Sequence, residues 1–240
     1  MNQSINPVPV SYINRRCGAL WQQLWDNAPA LGLARCALPC GAQLLDAGMS
    51  APGSLEAGRV ITELAQGGLA RAALSMGAVG GKPLPVITVE SLRPCAAALS
   101  LQMGCFVGGL MLSGPVRLLL EKPEYVAVDA PRESMESLAV AVLQSDGPVE
   151  ERWVLDLARA AQVPPRALRL VAAPMHSVAG CTQIAGRMNE NVILTLVRSL
   201  GYPAARVRHI LGASPVCPVY KGPGKVLLPD DLLHYRGEAF

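Results

Sequence analysis

Short apolar runs alternate with segments of helical spacing along this chain, from Cys36 almost to its end. A short apolar run bounded by turn residues is typical of a strand, whereas apolar residues spaced by one helical turn indicate an amphipathic helix. The predicted strands are 43–46, 69–76, 84–89, 138–143 and 168–173. The predicted helices are a short one around 20–25, one over 55–64, one that begins at 146–148, and one over 182–200. This alternation predicts an α/β protein built in layers (α+β layered), because sheets and helices bury their apolar faces against each other.

Composition excludes several classes of protein. Apolar residues make up 51% of the chain and charged residues 16%, which allows a sizeable core and excludes a disordered chain. The formal net charge is only +3, without a basic block, and aromatic residues are 4%. Nucleic acid is therefore not an expected partner, because phosphate binding needs clustered cations and base stacking needs aromatic side chains.

Cysteine usage and the N-terminal sequence predict a cytoplasmic protein with reduced thiols. The chain has seven cysteines, an odd number, and no Cys-x-x-Cys pair. The first residues, MNQSINPVPVSY, lack the apolar core of a signal peptide. Buried thiols in a reducing compartment fit this pattern.

An uncharged stretch over positions 94–116 has two interpretations. Its length would suffice to span a bilayer, but Pro94, Gly104, Gly114 and Pro115 interrupt it. We therefore expect a buried helix followed by a glycine turn and a strand, and no membrane span.

Metal and nucleotide motifs are incomplete in this sequence. Cys36 and Cys40 could form half of a metal site, but none of the three histidines is paired at ligand spacing, so we expect two buried thiols on a strand. Residues 80–83, GGKP, have proline where a phosphate loop needs serine or threonine. The residues therefore favour neither a metal site at these cysteines nor a phosphate loop at 80–83.

Residues 51–58, APGSLEAG, form a compact loop that enters a helix. Ser54 is a suitable N-cap, and Glu56 lies in the first turn, where negative charge is favoured. The free N–H groups of such a helix start can hold a ligand oxygen or phosphate; the other interpretation is an ordinary capped helix. The residues alone favour the capped helix.

Arg187 and Glu190 are three residues apart on the predicted helix over 182–200 and therefore share one face. One interpretation is a solvated ion pair, which contributes little stability. The other is a carboxylate that an arginine orients toward a cleft, where it acts as a general base. The small and polar run at 177–183, SVAGCTQ, favours the second interpretation, because it allows a ligand to approach the helix start closely.

Four stretches that include these residues occur in an order and spacing found in one enzyme family. The stretches are 51–58 (APGSLEAG), 81–85 (GKPLP), 113–117 (SGPVR) and 177–190 (SVAGCTQIAGRMNE). A looser match follows at 212–219 (GASPVCPV). Through these stretches the chain resembles the methenyltetrahydromethanopterin cyclohydrolases, and the agreement extends over roughly residues 30–220.

The resemblance implies an enzyme of one-carbon metabolism that hydrolyses 5,10-methenyltetrahydromethanopterin reversibly to the 5-formyl compound. The family's active-site Arg-x-x-Glu pair matches Arg187 and Glu190, which implies that both are catalytic and that Glu190 is the base. No metal or other cofactor is implied, since the pterin is the substrate. We expect substrate-binding residues in the matched stretches, namely Ser54, Glu56, Ser113, Ser177 and Gln183.

The resemblance also implies two α/β-type domains with a cleft between them, assembled as a homotrimer in the cytoplasm. We place the boundary near 131–137, which gives an N-terminal domain at 1–135 and a C-terminal domain at 136–240. Family members continue beyond this length, so the second domain is expected to be incomplete relative to the family. The alternative is a shortened, non-catalytic paralogue that binds a pterin or assembles with cyclohydrolase-like subunits.

Overall fold

Ten strands form two sheets in this protein, whose computed structural model describes residues 12–120, 133, 137–219 and 228–240. The strands are β1 (Ala34–Ala37), β2 (Gln43–Asp46), β3 (Ala70–Val79), β4 (Lys82–Ser91), β5 (Cys105–Val107), β6 (Leu110–Ser113), β7 (Ala139–Gln144), β8 (Leu168–Ala172), β9 (Ile210–Pro215) and β10 (Glu238–Ala239). All five predicted strands are present, and the mixed helix and strand content confirms the α+β fold class.

Six α-helices pack on these sheets within the described part of the chain. They are α1 (Ile13–Asp26), α2 (Leu55–Ala65), α3 (Glu151–Ala160), α4 (Val178–Ala185), α5 (Met188–Leu194) and α6 (Pro229–Arg236). Helix α1 contains the predicted helix around 20–25 and packs on the main body, where the Trp21 indole N–H donates to the carbonyl of Leu170 at 3.2 Å.

The larger sheet has the order β1-β2-β8-β7-β6-β5, with β2, β8 and β7 parallel and the outer pairs antiparallel. Its central strands are buried on both faces, which is why they read as continuous apolar runs rather than alternating ones. Leu45 and Val171 face α1 and α2, while Leu44 and Leu170 face α3. The sheet is therefore the middle layer between helices.

The smaller sheet has the order β10-β9-β4-β3 and is antiparallel throughout. Ile87 and Val89 of β4 are fully buried and belong to the same apolar cluster as Ile184 of α4 and Leu233 of α6. Strand β3 continues to Val79, three residues beyond the predicted end of this strand at 76. Only Gly80 and Gly81 form the turn, because both have positive φ (57° and 76°), as a two-residue hairpin turn requires.

The helix predicted over 182–200 is interrupted in the structure. It begins earlier, at Val178, because the Ser177 hydroxyl caps it by accepting the Gly180 N–H at 2.9 Å. It ends at Ala185, where the Arg187 N–H bonds to the carbonyl of Ile184, three residues back, instead of continuing the α-helical pattern. The following segment is α5, then a π-helix at Thr195–Ser199.

Two smaller expectations are also wrong. Helix α3 begins at Glu151 rather than in the 146–148 segment, because the carbonyl of Glu150 accepts the first helical N–H groups. Cys36 lies on β1 as expected, but it is only half-buried. Cys40 is half-buried as well and lies in the turn after β1, which ends at Ala37.

The uncharged stretch at 94–116 folds as expected for a buried segment. It contains a π-helix at Ala96–Gln102, all of whose residues are buried, followed by the β5–β6 hairpin. Across the described ranges, no helix has the length and apolar character that crossing a membrane requires.

Neither sheet is confined to one side of position 135. The larger sheet combines β1, β2, β5 and β6 with β7 and β8, and the smaller one combines β3 and β4 with β9 and β10. The residues at 131–137, where we placed the boundary, lie mostly outside the described residues. The division into domains at 1–135 and 136–240 stays a prediction. The strand order shows that neither half contains all the strands of either sheet.

Candidate active site

Arg187 and Glu190 form a buried, two-pronged ion pair. The Arg187 Nε donates to Glu190 Oε2 at 2.7 Å, and its Nη2 donates to Oε1 at 2.8 Å. Only 17% of the Arg187 side chain and 5% of the Glu190 side chain are exposed. The interpretation as a solvated pair is therefore wrong, because both charges are removed from bulk water and held in a fixed geometry.

The break between α4 and α5 positions this pair. Arg187 occupies the N-cap position of α5, and Glu190 lies in its first turn, where the helix dipole favours a negative charge. The Gln102 side-chain amide donates to the carbonyl of Gly186 at 3.3 Å, and the Asn189 amide donates to the carbonyl of Val89 at 3.0 Å. These two bonds fix the junction to the buried π-helix on one side and to β4 on the other.

A narrow crevice adjoins Arg187 of this pair. Arg187 and Gln183 line it from the α4 side, and Ser113 lines it from the end of β6, together with Gly104. Its volume of about 10 Å³ corresponds to roughly one water molecule. The structure thus brings Ser113, Gln183 and Arg187, which are distant in sequence, to one place.

The charges at the site support one another. Burial works against a charge on Arg187, but the Glu190 carboxylate, through its charge and its hydrogen bonds, raises the pKa of Arg187 above the ordinary value. The guanidinium is therefore permanently charged and holds Glu190 in one orientation. A carboxylate so placed can accept a proton from a water molecule.

Two polar residues near this site were missed by the sequence reasoning. Arg117 is fully buried and lies in the 3₁₀-helix Pro115–Leu118, just after β6. Gln102 is also fully buried, and its Oε1 has no hydrogen-bond partner among the described residues. Arg117 ends the uncharged stretch and closes the SGPVR motif, and a lone arginine there was the available signal.

Ser54 and Ser177 lie at a different place, at the N-terminal ends of α2 and α4. Each hydroxyl caps its own helix: Ser54 accepts the Ala57 N–H at 3.1 Å, and Ser177 accepts the Gly180 N–H. Helix α4 has eight residues, so its rise of about 1.5 Å per residue puts Ser177 roughly 12 Å along the axis from Arg187. The structure does not bring these serines together with the ion pair.

Glu56 also lies apart from the ion pair. Its carboxylate pairs with Arg59 at 2.7 Å, and the Glu56 side chain is 52% exposed. Both residues line a separate groove of about 290 Å³ between α1 and α2.

Asp46 organises the loop that leads to Ser54. Its carboxylate accepts hydrogen bonds from the N–H groups of Gly48, Met49, Ser50 and Ala51 and from the Ser50 hydroxyl. Burial alone would raise the pKa of Asp46, but these hydrogen bonds lower it below the ordinary value. The N–H groups of this loop are therefore already satisfied from within the chain.

No group of three or more His, Cys, Asp or Glu side chains that could hold a metal ion occurs within the described ranges. The seven cysteines are free thiols, and burial raises the pKa of Cys17 and of Cys181 to about 12. These two thiols are therefore protonated at neutral pH and behave as apolar core residues.

The fold and the site define an α+β protein with a buried arginine–glutamate pair, the arginine of which lines a small polar crevice. A carboxylate held in such a pair is a candidate proton acceptor. The model of the cyclohydrolase (MCH) family matches residues 12–239. The chain belongs to this family, and the resemblance drawn from its sequence is confirmed.

Relatives of known name agree with this assignment. The methenyltetrahydromethanopterin cyclohydrolase of Methanoculleus marisnigri is 30% identical over 94% of this chain and 73% of the relative. The enzyme of the same name from Methanocaldococcus jannaschii is 28% identical over 86% of this chain and 66% of the relative. That of Methanococcus vannielii is 28% identical over 100% of this chain and 73% of the relative. The chain thus spans about two thirds to three quarters of the length of these relatives.

Proposed function

We propose that this chain hydrolyses 5,10-methenyltetrahydromethanopterin reversibly to 5-formyltetrahydromethanopterin. Family membership over residues 12–239 supports the substrate class. The observation that carries the chemistry is the buried, two-pronged pair of Arg187 and Glu190. If the same pair were exposed to bulk solvent, only membership of the family would be supported, and the catalytic role of the pair would not.

The chemistry of the substrate suits these residues. The methenyl carbon lies between two nitrogens that share its positive charge, so it is already electrophilic and needs a positioned water rather than further activation. The water oxygen bonds to this carbon, and Glu190 accepts one of its protons. The bond from carbon to one nitrogen then breaks, that nitrogen takes up a proton, and the formyl group remains on the other nitrogen. The cation and water thus give a neutral formyl compound and one released proton.

We assign distinct roles to the residues around this reaction. Glu190 is the base, and Arg187 orients its carboxylate through two hydrogen bonds. Ser113 and Gln183 share the crevice with Arg187 and are proposed to bind the reacting part of the substrate. Ser54, Glu56 and Ser177 are proposed to contact a more remote part, since they lie away from the ion pair.

We further propose that the reaction needs no metal or other cofactor. By analogy with the family, we propose two domains with a cleft between them, assembled as a cytoplasmic homotrimer. Light scattering on the purified protein tests the assembly: three times the mass of one chain is expected, and a monomer or dimer would contradict it.

Purified protein, mixed with the methenyl compound, tests the activity. We expect the methenyl absorbance to disappear at a rate proportional to the protein concentration. Tight binding of the pterin without loss of absorbance would instead select the non-catalytic paralogue, which the names of the relatives do not favour.

A further inference from the structure

Phe106 is an exposed aromatic residue at one edge of the larger sheet. It is the middle residue of β5, the last strand in the order β1-β2-β8-β7-β6-β5, and it is 74% exposed. A single exposed phenylalanine is common on protein surfaces, so exposure alone indicates nothing. The informative feature is the position of this side chain relative to the crevice at Arg187.

The strand register places Phe106 on the face of the sheet that borders the crevice. Phe106 is paired with Met111 of β6, and Met111 is paired in turn with Gln144 of β7. Residues directly opposite each other in antiparallel strands point to the same face, with Cβ atoms about 5 Å apart. Met111 and Gln144 both line the crevice, together with Gln183 and Arg187. The paired side chains therefore form a row that leads from the crevice to the edge of the sheet.

The neighbours of Phe106 in sequence agree with this direction. Cys105 and Val107 pack against the apolar cluster that contains Val154 and Leu157 of α3. Since successive side chains of a strand point to opposite faces, Phe106 points away from α3.

The β5–β6 hairpin is a fixed frame for this aromatic ring. A Cβ on Gly109, in the turn of the hairpin, would overlap the indole of Trp153, and a Cβ on Gly108 would lie 3.2 Å from Oδ2 of Asp156. Both contacts are with α3, so the turn is held closely against this helix. A binding residue on such a strand is positioned more precisely than one on a loop.

The substrate class of the proposed function suits an exposed aromatic side chain at this place. A pterin is a flat, conjugated ring system, and flat heterocycles bind by stacking on aromatic side chains. Neighbouring strands are about 4.8 Å apart, so Phe106 lies about 10 Å from Gln144, two strands away. A fused ring system whose reacting carbon lies at the crevice can reach over this distance.

We propose that Phe106 is a substrate-binding residue, on which the conjugated ring system of the pterin stacks while the methenyl group lies at the crevice. The inference rests on the proposed function and adds to it the residue that selects a flat ring system. Phe106 acts on the affinity for the substrate and not on the transfer of a proton.

Phe106→Ala tests the proposal through its separate effects on KM and kcat. Stacking on an aromatic side chain contributes about 5- to 150-fold in affinity, so we expect KM to rise at least about fivefold. We expect kcat to stay within about threefold of the wild type, because the stacking is equally strong in the bound substrate and the transition state. Phe106→Trp retains an aromatic face and should keep a KM near that of the wild type. Phe106→Leu is apolar without an aromatic face and should recover only a small part of the loss.

Phe240→Ala is the matched control. Phe240 is the other phenylalanine of the chain and is 82% exposed, but it follows β10 of the smaller sheet. We expect its KM to equal that of the wild type. An unchanged KM in Phe106→Ala, full recovery in Phe106→Leu, or an equal rise in Phe240→Ala would overturn the proposal. If Phe106→Ala does not fold, the comparison of Phe106→Leu with Phe106→Trp, which both fill the position, gives the same decision.

Equilibrium binding separates this inference from the proposed function. Calorimetric titration with the methenyl compound is performed on Glu190→Gln and on Glu190→Gln/Phe106→Ala, in which turnover does not obscure the affinity. We expect the Kd to be at least about fivefold higher in the double variant. This ratio, together with a wild type that binds the compound without hydrolysing it, would reject the proposed function and support the role of Phe106. An active wild type with equal Kd values in the two variants would overturn the inference alone, and a wild type that does not bind the compound would overturn both.

Discussion

Asp46 shows at the scale of one residue how a single carboxylate shapes a loop. Five hydrogen bonds from the following loop end on its two oxygens, three of them on Oδ2. Sequence reasoning placed the strand that ends at this residue and the Ser54 cap beyond it, because both are local patterns. It did not find the wrapped loop, since aspartate after a strand is compatible with many turns.

Asp46→Asn is expected to lower the free energy of unfolding by about 2 kcal/mol at neutral pH, because an amide nitrogen replaces Oδ2 and accepts no hydrogen bond. The folded-state pKa of Asp46 lies below its ordinary value, so its contribution is complete above the unfolded pKa of about 4. It disappears as the pH falls through the lower, folded value. Denaturant unfolding at several pH values measures this difference. The exposed Asp26→Asn is the control, and an equal loss in both variants, or a loss that grows toward acid pH, would contradict the account.

The side-by-side packing of α2 and α4 is the central feature at the scale of elements. A Cβ on Gly58 of α2 would lie 2.4 Å from the Cβ of Thr182 and 2.6 Å from the carbonyl oxygen of Ala179. The two helices therefore approach closely, and α4 leads directly to Arg187. Periodicity predicted both segments as helical, but at the interruption between α4 and α5 the carbonyl of Gly186 accepts a hydrogen bond from Gln102, which is distant in sequence. The same holds for the burial of Arg117, which local patterns do not encode.

Gly58→Ala is expected to lower the free energy of unfolding by about 1–3 kcal/mol, because the methyl group overpacks the helix contact. Helix propensity acts the other way, since alanine is favoured over glycine by about 1 kcal/mol. Thermal unfolding of the variant measures the net effect. Gly147→Ala is the control for a glycine substitution without a close contact, because nothing lies within 4 Å of a Cβ at Gly147, which is outside the helices. A variant at Gly58 that is as stable as the wild type would contradict the close contact.

The interleaving of the chain between two sheets is the main finding at the scale of the whole molecule. Strand alternation predicted the fold class, but strand order depends on contacts between distant segments, and no short pattern encodes it. Strand β7, for example, pairs with β6 on one side and with β8 on the other. The division at 135/136 therefore separates strands that are neighbours in one sheet.

Expression of residues 1–135 and 136–240 as separate fragments tests this interleaving. We expect neither fragment alone to show a cooperative unfolding transition, because each lacks strands of both sheets. Mixing the two fragments should restore part of the folded signal in circular dichroism. Cooperative unfolding of either fragment on its own would show that half of the chain is an independent domain.

The central claim is that the buried Glu190 carboxylate is the base, and one comparison of rates tests it most directly. Glu63 is a suitable reference, because it is also buried (8% exposed) and also forms an ion pair with an arginine, Arg59, at 3.1 Å. It lies on α2 and not on α5. Loss of a general base costs about 10²- to 10⁴-fold, so Glu190→Gln should lower kcat by at least about a hundredfold, while Glu63→Gln stays within about threefold of the wild type. Equal rates in the two variants would contradict the assignment of Glu190.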